Sequence, residues 1–241
     1  MRPTHLLAAT IILAACSSPE PEPHKVPGPV NLLPGAKEFH VLDLPNQEDN
    51  IRHDTLLVQT THHLPDGRYV MAARNKDDSR EGLRLFLYTP QPDSSAAVIA
   101  ISAPAYDSYT MLPTFYATGD TADGMVILAN FGERDSWGQK VFWLKNRQFR
   151  DLGWLDVAHR EWRAVDDSTF QRLTNIAPFT QVKGSGGSFL FTFMGDSVHL
   201  FDDLEGHLDR MIPAQDLAYR YDGQRMTLVV EGRERLPASP L

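Results

Sequence analysis

Few residues in this chain have side chains suited to chemistry, and they are widely spaced. Cys16 is the only cysteine, so no intrachain disulfide can form. No Gly-x-Ser-x-Gly elbow presents a serine nucleophile. His62 and His63 lie near Asp66, a set with the right atoms for a metal. Adjacent residues on a strand point to opposite faces, so one ion cannot easily take both imidazoles. His159 and Glu161 have the His-x-Glu spacing of zinc deaminases but lack the cysteine pair those sites require. These residues predict no metal site, no catalytic set and no cofactor.

Oxygen ligands are denser. Asn75, Asp77, Asp78, Ser79 and Glu81 crowd into one short segment. An EF-hand loop needs glycine at its sixth position and glutamate at its twelfth. Here Arg80 is sixth and Glu81 seventh, so the segment reads as a solvated loop between strands. Asp120, Asp123 and Gly124 read as a turn. Taken as pairs, Asp77/Asp78 and Asp120/Asp123 are the carboxylates a glycan hydrolase would use, were they set about 5–10 Å apart across a substrate. Gly184-Ser185-Gly186-Gly187-Ser188 has the glycine content of a phosphate loop. It lacks the Lys-Ser/Thr ending and precedes a strand, so it reads as a turn.

Residues 131–138 hold Phe131 and Trp137 in a polar loop, with Gly132 and Gly138 allowing close approach. An exposed indole flanked by charge is a platform for a glycan or a peptide. Trp137, Arg134 and Glu133 are therefore the candidate binding surface. Trp143, Trp154 and Trp162 read as core or edge-packing residues.

The elements that carry these groups begin with an address. Arg2 precedes an apolar run over residues 6–15, and Ala14 and Ala15 lead into Cys16. This is the layout of a secretory signal, and ten residues are too few to span a bilayer. Leu13-Ala14-Ala15-Cys16 resembles the lipobox of bacterial lipoproteins. The resemblance implies removal of residues 1–15, a diacylated Cys16 sulfur and an acylated new amine. Two or more acyl chains hold a membrane stably. Ser17 after the cysteine, where the enterobacterial inner-membrane signal would have aspartate, points by the same resemblance to the outer membrane of the cell envelope.

Residues 16–35 form the lipidated cysteine and a tether with six prolines. Proline fixes φ and removes donors, which favours extended polyproline conformations. At 3.1 Å per residue the tether reaches roughly 60 Å. Residues 36–241 form a single β-rich domain, long enough to bury a core without staples. The net charge of −8 argues against a nucleic-acid partner.

Within that domain the hydrophobic period is two. Residues 38–44, 55–61, 68–74, 83–89 and 97–102 read as strands, as do 114–118, 125–130, 139–145 and 149–154. Further strands are expected over 188–193, 198–201, 208–212 and 225–230. Turns at Gly67, Gly124, Gly187 and Gly223 separate them, at spacings of 57, 63 and 36. The period drifts too far for a regular blade array. The pattern predicts a mostly β fold of repeated antiparallel meanders, propeller-like, or alternatively a sandwich or a curved half-barrel. Residues 158–173 lack alternation and read as a short helix or a long loop.

The function this suggests is a lipid-anchored envelope protein whose β-domain binds or scaffolds an envelope protein or a glycan. The alternatives are the glycan hydrolase above and a lipid or lipoprotein carrier, which requires an open apolar cavity.

Overall fold

The computed structural model describes residues 33–47, 51, 55–77, 82–105, 111–133, 136–165, 168–201 and 210–237. Side chains are described for these residues except 131–133, 136–137, 163, 165 and 168–171. Cys16, the signal segment and nearly all of the tether lie outside the described residues.

The fold is mostly antiparallel β. A ten-stranded sheet curls into a half-barrel. Its order is β18 (Arg233–Arg235), β17 (Met226–Val230), β16 (Leu217–Tyr221), β13 (Ser188–Phe193), β12 (Thr180–Ser185), β1 (Lys37–Leu42), β6 (Met111–Ala117), β7 (Met125–Glu133), β8 (Ser136–Lys145) and β9 (Gln148–Leu155). Of the closures weighed from the sequence, the curved half-barrel is the one present. The reason lies in β1. Its first half pairs with β12, Phe39 opposite Val182, and its second half pairs with β6, Val41 opposite Tyr116. One N-terminal strand thus joins two meanders into a continuous sheet.

Two four-stranded sheets cover this half-barrel. In the first, β2 (Leu56–His63), β3 (Tyr69–Asn75), β4 (Arg84–Pro90) and β5 (Ala96–Ile101) form a simple meander. The second has the order β11 (Ser168–Thr174), β10 (Val157–Val165), β14 (Ser197–Leu200), β15 (Arg210–Pro213). It is built from two hairpins that leave the main sheet and meet each other through β10 and β14.

This layering explains why β7 shows little alternation. Val126 and Leu128 face one core, shared with Val157, Val198, Phe191 and Tyr219. Ile127 and Ala129 face a second core, shared with Val70, Leu85, Leu87 and Phe115. A strand covered on both faces needs apolar residues at every position. Each fully buried side chain of this size contributes about 1.5–3 kcal/mol. The bulged residue Gln59 ties the layers further: its Oε1 accepts from the Met111 amide at 2.8 Å.

The structure corrects one reading. Residues 158–173 are neither helix nor long loop; β10 and β11 pair from His159–Thr174 to Val165–Ser168. Among the described side chains of β10, Val157 and Ala158, which pair with β14, are the ones that enter the core. Beyond them Glu161 and Trp162 are both exposed, so the hairpin overhangs with solvent against adjacent positions. A strand wet on both faces carries no period-two hydrophobic signal. Trp162, expected in the core or at a packed edge, is 67% exposed for the same reason. Strands β12, β16 and β18 were not expected. In β12 the buried positions are Thr180, Val182 and Gly184, too small and polar to read as a strand face.

Candidate functional site

The candidate site is a cleft of about 200 Å³ where β1, the β6–β7 turn, the end of β8 and the β12–β13 hairpin converge. Its floor is aromatic. Phe39 and Trp143 each meet Phe189 edge-on, with ring centres 5.7 and 5.1 Å apart. Such pairs add about 0.5–1.5 kcal/mol beyond burial. Gly184 exists for this packing: a Cβ there would sit 2.8 Å from Phe189 and 2.9 Å from Phe39.

The acidic wall is a 3-10 turn, Thr121–Asp123, entered through Asp120, whose Oδ1 accepts from the Ala122 amide at 2.9 Å. The turn exits through Gly124 at φ 78° and ψ −162°, a region essentially reserved for glycine. A Cβ at Gly124 would lie 2.6 Å from the Leu144 carbonyl oxygen and 2.9 Å from Trp143 Nε1. This close approach lets the indole N–H of Trp143 donate to the Asp123 carbonyl at 2.9 Å.

Charge is fixed here by pairing. Lys37 Nζ lies 2.8 Å from Asp123 Oδ2 and 3.4 Å from Asp120 Oδ2. The hydroxyl of Thr118 donates to Asp123 Oδ2 at 2.7 Å. The Lys37 ammonium, followed by the Thr118 hydroxyl, holds the Asp123 carboxyl below its usual range. Hydrogen bonds to Asp123 and Asp120 hold Lys37 above its own. Lys145 Nζ sits 4.8 Å from the Trp143 ring centre and the Arg150 guanidinium 5.6 Å from it, and the Lys145 charge adds a smaller lowering effect at Asp123. The hairpin tip completes the wall. Gly186 and Gly187, at φ 59° and 92°, lie between the paired Ser185 and Ser188. The sequence assigned this segment to a turn, and that is its conformation; it also lines the cleft.

The other singled-out residues disperse. His62 is buried, and its Nδ1–H donates to the Leu44 carbonyl at 2.7 Å. Burial pushes its pKa down. His63 is exposed and packs on Tyr69 at 4.7 Å between ring centres, while Asp66 pairs with Arg68 in the turn. The two imidazoles point apart, as strand geometry requires. His159 stacks on Phe179 at 3.9 Å. Among the described residues no group of three His, Cys, Asp or Glu side chains gathers as a metal site would require. Asp77 is exposed at the end of β3, with its amide donating to Asn75 Oδ1; Asp78, Ser79, Arg80 and Glu81 lie outside the described residues. Asp77 and the Asp120/Asp123 pair therefore stand on turns of different sheets.

The loop read over residues 131–138 is a paired hairpin in its backbone, with Gly132 opposite Trp137 and Glu133 opposite Ser136. Arg134 and the side chains of Glu133 and Trp137 lie outside the described residues. Trp143, by contrast, reads from the sequence as a core or edge-packing residue; it is 8% exposed and also lines the cleft. Lys37 and Lys145 were missed. Lys145 had a faint sequence signal, standing two residues beyond Trp143 and hence on the same strand face. Lys37 had none, since its partner Asp123 is 86 positions away.

Comparison with protein-family models, with curated proteins and with solved structures finds no match to this chain.

Proposed function

We propose that this is a lipid-anchored protein of the bacterial cell envelope, with a β-domain that binds another envelope component through the Trp143 cleft. The supporting observation is the charge pairing at its wall. Asp123 is held ionised from below and Lys37 from above, and both are tied to each other at 2.8 Å. A general acid at neutral pH needs a carboxyl raised toward 6–7. Paired, permanently charged groups suit recognition of a polar partner. The cleft also falls short of the 300–1,000 Å³ that encloses a drug-sized ligand, so it fits one protruding group of a larger component better than an acyl chain.

The anchor is tested by fractionation. Cys16→Ser moves the protein out of the membrane fraction and abolishes acyl labelling; unchanged membrane association overturns the anchor. The cleft is tested by placing a photo-crosslinking residue at Ser185, on its rim, and at exposed Gln91 in the β4–β5 turn as a control. A discrete adduct from position 185 that is absent from position 91 is expected in cells. No adduct from position 185 removes the cleft as the contact site.

A further inference from the structure

The charge in the cleft is unbalanced. Lys37 has two carboxylates. Lys145 and Arg150 both approach the same indole, and among the described residues neither forms an ion pair. A solvent-exposed cation over an aromatic ring gains only about 0.5–1 kcal/mol, while two like charges near one ring repel. This local excess of positive charge stands in a chain whose net charge is −8. Ser185, with a hydroxyl, and the Gly186–Gly187 tip line the same cleft as Lys145. The two glycine amides fall outside the β12–β13 ladder, which closes at the Ser185–Ser188 pair. An ammonium, a hydroxyl and two unladdered amides are all donors. Among the described residues the one acidic lining side chain, Asp123, is already engaged by Lys37 and Thr118.

We infer that the cleft takes a single anionic group, a carboxylate or a phosphate on a small polar ligand. Lys145 supplies the direct charge contact, Ser185 and the hairpin tip supply neutral donors, and Arg150 adds to the field. This rests on the cleft being the binding site and names what it binds. Lys37 and Thr118 hold the Asp123 carboxylate beside the cleft, so Lys145 keeps its donors for the ligand. Two sources carry such a group, an acidic saccharide and a phosphorylated glycerol of a lipid headgroup, and the probes separate them.

The intact protein in detergent micelles is titrated with inorganic phosphate, glucuronate, glycerol 3-phosphate and glucose, following the Trp143 indole N–H resonance. That N–H donates to Asp123 beside the cleft, and Trp143→Phe assigns its signal. Saturable shifts with one or more of the anions and none with glucose are expected. Binding weakens with added salt and falls about tenfold in Lys145→Gln, the order expected for one charge-assisted hydrogen bond. Glucuronate binding more tightly than glycerol 3-phosphate identifies the saccharide source, and the reverse order identifies the headgroup. Equal shifts with glucose and glucuronate, or an unchanged affinity in Lys145→Gln, overturn the anion preference and leave the cleft a binding site. No shift with any probe overturns the anion inference, and the Ser185 cross-link then decides the cleft separately.

Discussion

At the residue scale, two positions show how local chemistry is set by neighbours far away in sequence. Gly124 is required because its backbone runs against Leu144 and Trp143, not because a turn needs any flexible residue. Gly67 also has positive φ, at 85°, but a Cβ there meets nothing within 4 Å. Gly67→Ala is therefore expected to cost about 1–2 kcal/mol of strain alone. Gly124→Ala is expected to cost clearly more, because the clash adds to the strain and disturbs the Trp143–Asp123 bond. Thermal unfolding of the two variants side by side checks this; equal losses would sink it. His62 is the second position. Its Nδ1 donates to a carbonyl, and its buried Nε2 has no partner. Burial lowers its pKa from the ordinary 6.5. The unfolded chain then takes up a proton that the folded chain refuses, so stability falls as pH drops below about 6.5. The slope from this residue is at most about 1.4 kcal/mol per pH unit. In His62→Phe that part of the acid slope disappears, and an unchanged pH profile of stability in this variant would contradict the assignment.

At the element scale, β1 is the strand that decides the architecture. Its alternation was legible in the sequence; its division between two partners was not. Phe39 is 5% exposed and packs on Phe189, while Val41, two residues on, is 54% exposed. Phe39→Ala is expected to destabilise the fold by about 3–5 kcal/mol. Val41→Ala should stay within about 0.5 kcal/mol. Denaturant midpoints of the two variants measure the contrast, and similar losses would mean that the join does not depend on the Phe39 contact. The β10–β11 hairpin shows the opposite failure of pattern reading. Its residues form a strand pair because backbone partners are available, while Glu161, Trp162 and Ala164 are exposed and announce no buried face.

At the scale of the whole molecule, the two cores on either face of β7 should make folding cooperative. Leu128 belongs to one core and Ile127 to the other. Leu128→Ala and Ile127→Ala are each expected to lose about 2–5 kcal/mol while leaving a single unfolding transition. Two separated transitions followed by fluorescence and circular dichroism would show that the layers fold independently. Gly35 and Lys37 line the cleft, so in the proposed lipid-anchored form it lies near the point where the proline-rich segment enters the domain.

The sequence by itself determined the class of the fold, most strand positions and their turns. Those features are local: period-two alternation and positive-φ glycines act over a few residues. It also supplied the lipobox resemblance, which is a short linear motif. Only the tertiary structure decided that the meanders merge into one curled sheet and that two excursion hairpins form a covering layer. It alone placed Lys37 against Asp123 and Trp143 beneath a glycine hairpin. The physical reason is that strand pairing is set by backbone hydrogen bonds, which every non-proline residue offers alike. The partner of a strand is therefore chosen by the packing of whole layers, and so is the site that strand ends happen to enclose.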